Sequence, residues 1–202
     1  MTSFAPGGAD HTGGTTCVPS PVLSSGPRGI VLVGQSGSPD PIGAVTHVVR
    51  DAGGVPVPGS TIGIDFSHCP DLQIGGDVLS PNVHVNCAAR TVWTVTDAAG
   101  TATFSIVGGG TGGTAGLVTR CASVTVDGVP LPSPIVSVFD LDGRNGVDAM
   151  DLCIFAADLF SGQYRQRCDY DADGDVDGID LSLLARALFG GGSSTSGKAC
   201  MP

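Results

Sequence analysis

The chain of 202 residues is long enough for one large domain or two small ones, and a hydrophobic content of 41% can build a core. Its 32 Gly and 14 Pro argue against a mainly helical protein and for short strands joined by many turns. All 19 acidic residues are Asp, and a net charge of −10 without any basic run argues against a nucleic-acid partner or an anionic membrane surface.

The N-terminal stretch 1–28 reads as an extended Gly/Ser/Pro-rich segment, and Met1–Gly14 shows neither the charged n-region nor the apolar h-region of a signal peptide. The longest aliphatic run, Ile30–Val33, is far too short to insert into a membrane. From 29 to 134 the texture is of short Val/Ile/Thr runs separated by Gly, Pro and Asp. Candidate strands are Ile30–Val33, Ala44–Arg50, Thr61–Phe66, Val83–Asn86, Thr91–Thr96, Thr101–Val107, Gly116–Arg120 and Ala122–Val126. Such regular spacing predicts an antiparallel β-sandwich. Trp93 alternates with Val92 and Val95 and reads as a core residue, whereas the Gly108–Gly113 run reads as a loop. Val48–Gly59 and Val95–Phe104 each place a D-A-G or D-A-A-G turn between alternating runs, which is hairpin chemistry. These two stretches resemble the bacterial Ig-like repeats of surface adhesins. The resemblance implies a spacer, adhesive or assembly role.

Seven cysteines, at 17, 69, 87, 121, 153, 168 and 200, form no CxxC and no zinc-finger spacing. Disulfides in an oxidising, extracellular setting are the better reading, with one thiol left free or bridging two chains. Cys69–Cys87 and Cys153–Cys168 are the first pairings to expect, and other connectivities are equally allowed. His68, Cys69, His84 and Cys87 could in principle hold zinc, though H-C…H-x-x-C fits no familiar zinc pattern.

Segment 135–190 carries the most informative pattern. Asp169 to Asp180 places Asp at positions 1, 3, 5, 9 and 12 of a twelve-residue loop, with Gly174 at position 6 for the sharp turn. Calcium is a hard cation that takes oxygen ligands. Asp169, Asp171, Asp173 and Asp180 are expected to supply carboxylates, Asp175 its backbone carbonyl, and Asp177 a water-mediated contact. Val176 is expected to point inward towards a neighbouring loop. An earlier copy, offset by 29 residues, keeps Asp140, Asp142, Asp148 and Asp151 at positions 1, 3, 9 and 12. It departs at position 5, Arg144, and position 6, Asn145. Either a second Ca2+ binds there with Asn145 or water filling in, or the Arg cation replaces the metal.

Each loop leads into a run of helical spacing, Leu152, Ile154, Phe155, Leu159 and Phe160, then Leu181, Leu183, Leu184, Leu188 and Phe189, ended by Gly162 and Gly190. These stripes read as core between two antiparallel helices. The duplicated loop–helix unit, over about Val138 to Gly190, resembles the dockerin family. The resemblance implies a calcium-dependent fold with two EF-hand-type loops and docking onto a cohesin partner. At loop positions 10 and 11, where cohesin-binding members carry small hydroxyl residues, this chain has Ala149-Met150 and Gly178-Ile179.

The expected fold class is therefore mainly β, an Ig-like sandwich followed by a small α dockerin-like module. No GxSxG, HExxH, P-loop or dinucleotide fingerprint occurs, and the Asp residues concentrate in the loops, so the chain reads as non-enzymatic. The tails, Met1–Pro27 and Gly191–Pro202, are Gly/Ser/Thr/Pro-rich and have no core of their own. Cys17 and Cys200 within them suit interchain bridging, and a sandwich edge can accept a strand from another copy. Head-to-tail donation would give a filament or surface layer. A monomeric adaptor that docks onto a cohesin-like protein is the alternative, and a carbohydrate-binding module is a weaker one, because its usual aromatic platform is hard to build from two Tyr and one Trp.

Overall fold

The computed structural model describes residues 18–34, 41–77, 79–111, 120–190 and 200. Both tails, apart from 18–27 and Cys200, and most of the candidate strand Gly116–Arg120 lie outside these residues. The described chain is mainly β, with eleven strands and two α-helices. The strands are β1 Gly29–Leu32, β2 Val45–Val48, β3 Thr61–Asp65, β4 Leu72–Ile74, β5 His84–Asn86, β6 Thr91–Val95, β7 Thr101–Phe104, β8 Gly108–Gly110, β9 Ser123–Val126, β10 Val129–Leu131 and β11 Ile135–Val138. The helices are α1 Ala149–Ser161 and α2 Gly178–Gly190.

An antiparallel five-stranded sheet runs β10-β9-β3-β6-β5. Its strands alternate as period-two side-chain geometry requires: Ile62 and Ile64, Val92 and Thr94, and Val124 and Val126 face the core. Pairs β2-β7 and β4-β8 are antiparallel, and β1-β11 is parallel. β11 is buried at every position, and β1 at all but its first, so neither shows the alternation of a half-exposed strand. The register Ile30↔Val136 and Leu32↔Val138 ties the first strand of segment 135–190 into the β body.

The two Asp-Gly turns form as their chemistry dictates. Asp51 Oδ1 accepts from the N–H groups of Gly53 (2.8 Å) and Val55 (2.9 Å), and Asp97 Oδ1 from Ala99 (2.8 Å) and Thr101 (2.9 Å). The second is not a hairpin, because β6 pairs with β3 whereas β7 pairs with β2. Gly100 lets the turns meet: a Cβ there, at φ +68°, would lie 2.6 Å from the Val49 carbonyl oxygen.

Other expectations need correction. Gly108–Gly110 is a strand paired with β4, because a run without side chains can lie flat against neighbouring backbone. Trp93 points outward and is 38% exposed, since Val92 and Thr94 take the inward positions of β6. The disulfides are Cys69–Cys121 and Cys87–Cys200. Register explains the first: Asp65 opposes Ser123, so the residues after β3 and before β9 face each other. These bonds also remove Cys69 and Cys87 from any zinc site. Cys153 and Cys168 are both free, Cys153 on the exposed face of α1 and Cys168 buried. No helix among the described residues is long and apolar enough to cross a membrane.

Candidate metal centre

The chain leaves β11 through Phe139 and enters the first Asp-rich loop at once. The two loops share their backbone wiring at the 29-residue offset. Asp151 Oδ1 accepts from the Leu141 N–H at 2.6 Å, and Asp180 Oδ1 from the Tyr170 N–H at 2.6 Å. The other oxygens of these carboxylates accept from Asp148 (2.8 Å) and Asp177 (2.9 Å). Asp148 Oδ1 takes the Met150 N–H at 2.7 Å, and Asp177 Oδ1 takes Ile179 at 2.6 Å. Position 12 therefore fixes both the loop entrance and the first turn of its helix. In α1 this is a complete capping box.

The two loops share their backbone at positions 4 and 6 and differ at position 7, where Gly146 (φ +74°) is left-handed and Asp175 is not. Position 4 is left-handed in both loops, at Gly143 (φ +70°) and Ala172 (φ +59°). Position 6 is left-handed in both, at Asn145 (φ +61°) and Gly174 (φ +106°). Asn tolerates that region, so it can replace Gly there. Arg144 meets Asp140 and Asp142 through its backbone N–H, at 2.9 and 2.8 Å, and the residue is exposed. That geometry favours the backbone role over a guanidinium standing in for a metal.

Three groups of carboxylates form, in each of which one oxygen per residue lies within 4.8 Å of the others: Asp140, Asp142 and Asp151; Asp169, Asp171 and Asp173; and Asp175, Asp177 and Asp180. All ten Asp singled out from the sequence thus lie in the two loops. Asp148 falls outside these groups as the helix cap, and Asp175 contributes its carboxylate to a group instead of only a carbonyl. Asp140, Asp151, Asp169 and Asp180 are buried. Burial pushes the Asp151 carboxyl up to about 6, against its three backbone hydrogen bonds, and raises that of Asp180. Burial and then the Asp173 charge raise Asp171, while Asp173 is the first cause at exposed Asp175. Among the described residues no Arg or Lys pairs with the carboxylates of the second loop. An all-oxygen, uncompensated, partly buried donor set is the chemistry of a hard divalent cation, so the residues present fit one.

Several supports were not visible in the sequence. The Tyr164 hydroxyl donates to Asp169 Oδ2 at 2.7 Å. Tyr170, at position 2 of the second loop, meets Phe139 at a tilt (4.8 Å) and stacks with Phe155 (6.0 Å), placing both loops on one apolar core. Glycines bring the β body close: a Cβ on Gly143 would lie 2.2 Å from the Gly110 carbonyl oxygen, and one on Gly29 2.6 Å from Ala172 Cβ. Arg167, just before the second loop, holds Asp71 of the β body with two bonds of 2.6 Å. Neither a lone Tyr nor an Arg some ninety residues from its partner leaves a local signal.

The helices depart from expectation at Leu181, which is exposed, and at their C-terminal ends. Phe155 and Leu184 are fully buried, but Phe160 is 85% and Phe189 83% exposed. Five residues rotate a helix by about 140° beyond a full turn, so each of these Phe residues faces away from the buried residue preceding it. Val147 is buried, whereas its counterpart Val176 is only half-buried. Comparison with protein-family models, curated proteins and solved structures finds no match.

Proposed function

We propose that this chain is a non-enzymatic, calcium-stabilised extracellular structural subunit that assembles with copies of itself. The observation carrying the calcium reading is one Asp-rich loop formed twice, with the same hydrogen bonds to the position-12 carboxylate and left-handed residues at positions 4 and 6 of both copies. Its oxygen donors suit Ca2+: on this reading the second loop's two groups, Asp169, Asp171 and Asp173 with Asp175, Asp177 and Asp180, serve one site, and Asp140, Asp142 and Asp151 a second. On this reading the β body is an Ig-like sandwich and the loop–helix pair a dockerin-like unit. The two disulfides support an oxidising compartment.

Support for assembly comes from apolar residues left outside at equivalent places: Met150 with Ile179, and Phe160 with Phe189. Contiguous exposed apolar surface marks contact sites, and on this reading these four side chains contribute to one. The same observation supports the second reading, an adaptor docking onto a cohesin-like partner. Light scattering and negative-stain microscopy, with Ca2+ and after chelation, separate the two. Regular filaments that loosen on chelation are expected. A monomer in both conditions overturns self-assembly, and an unchanged melting temperature on adding Ca2+ overturns the calcium reading.

A further inference from the structure

The outer face of the five-stranded sheet has a row that crosses all five strands. Strand register places Pro130, Thr125, Gly63, Trp93 and His84 side by side in that order. Trp93 and His84 are stacked, with ring centroids 3.9 Å apart and planes 14° from parallel. Edge-strand His84 thus braces one face of the indole. On the other side lies Gly63, where an added Cβ would meet, among the described residues, only the Thr125 hydroxyl within 4 Å, at 3.3 Å. The result is an open notch with glycine as its floor, an indole on one wall and a hydroxyl on the other. Two strand spacings separate those walls, about 10 Å between backbones.

A second row lies two residues along the strands, about 7 Å away. Register gives it Asn86, Thr91, Asp65 and Ser123. Asn86 and Asp65 each use Oδ1 for a turn bond, to Ala89 (3.1 Å) and Ser67 (2.7 Å). Those bonds leave the Asn86 amide nitrogen and the Asp65 Oδ2 atom for other partners. Rigid aromatic surface beside hydroxyl, amide and carboxylate groups matches a ligand with an apolar ring face and a rim of hydroxyls. The outward positions of these strands hold no Lys or Arg and one Asp, so a polyanion finds no counter-charge there and a neutral ligand needs none.

We infer that this sheet face binds a neutral glycan, one sugar ring stacking on Trp93 over the Gly63 notch and its hydroxyls meeting the Asp65–Asn86 row. The site lies on a different sheet from β1 and β8, the strands the Asp loops rest on, and does not depend on the calcium reading. Trp93 is the sole tryptophan, so its fluorescence reports the site directly. The test titrates the full chain, disulfides intact and Ca2+ present, with neutral oligosaccharides (gluco-, xylo-, manno- and chito-series) and a proline-rich peptide. A saturable emission change with at least one oligosaccharide is expected. Gly63→Val fills the notch and should weaken binding about tenfold or more, with Gly63→Ala intermediate and both unfolding as the parent does. No saturable response to any oligosaccharide at millimolar concentration, a response to the peptide instead, or unchanged affinity in Gly63→Val each overturns the assignment.

Discussion

Removing the Arg167 guanidinium tests how firmly the loop segment is bolted to the β body. Its Nε and one terminal nitrogen each bond Asp71 at 2.6 Å, while the other terminal nitrogen donates to the Val136 carbonyl at 2.5 Å. The two side chains are only 5% and 9% exposed. Arg167→Met keeps most of the stem but strands the Asp71 carboxylate in a poorly solvated place and leaves a strand carbonyl without its donor. Breaking a buried pair by deleting one partner costs about 3–5 kcal/mol, a large part of a typical domain's stability. Deleting both charges, in Arg167→Met with Asp71→Leu, should recover most of that loss, because no uncompensated ion remains. Equilibrium urea unfolding with saturating Ca2+ and intact disulfides, followed by Trp93 fluorescence and circular dichroism, gives both values. A single-variant loss below about 1 kcal/mol, or a double variant as unstable as the single, would refute the argument.

His47 is 2% exposed on β2, and neither ring nitrogen has a hydrogen-bond partner among the described residues. Burial lowers its pKa from 6.5 to about 4, so the fold favours the neutral ring. The associated stability is complete above pH 6.5 and declines as pH falls towards 4, by about 3 kcal/mol. His47→Leu should flatten that part of the urea midpoint–pH curve, and an unchanged slope would contradict the account. The Cys87–Cys200 bond closes a separation of 113 residues, against 52 for Cys69–Cys121. Replacing Cys87 and Cys200 together with Ser should cost about 2–5 kcal/mol, read as a lower thermal midpoint under non-reducing conditions. Gly143→Ala and Gly54→Ala both place Ala at positive φ (+70° and +78°), but only the former drives a Cβ to 2.2 Å from backbone. Gly54→Ala should lose about 1 kcal/mol and Gly143→Ala at least twice that in the same unfolding assay. Equal losses would mean that the loop does not press on β8.

What the sequence disclosed depended on how local each signal is. Ile62/Ile64, Val92/Thr94 and Val124/Val126 alternate within a few residues, so their strands were readable. β4 and β10 are three residues each, β10 has a central Pro, and β8 is three glycines, so side-chain pattern gave them no signature. β11 is buried on both faces, and its partner is β1, more than a hundred residues earlier. Disulfide pairing failed for the same reason, because both bonds join residues that only the tertiary register brings together. Trp93 misled differently: alternation fixes that neighbours face opposite ways but not which neighbour faces in.

The Asp loops were legible because their chemistry is local, yet residue identity understated how alike they are. Counted by residue type, the first loop departs at positions 5, 6 and 7, where Arg144, Asn145 and Gly146 stand for Asp173, Gly174 and Asp175. Counted by backbone, Asn145 and Gly174 share the left-handed region, and Arg144 and Asp173 donate the same two N–H bonds. What the duplication preserves is a path of peptide groups, with a carboxylate at position 12 pinning both ends. The loops differ in what they lean on: the first meets β8 through Gly143 and Gly110, and the second meets β1 through Ala172 and Gly29. Tyr170 then joins them through Phe139 and Phe155. Charge neutralised in either loop would therefore be felt in the β body, because each loop rests on a strand whose glycines leave no slack for it to move independently.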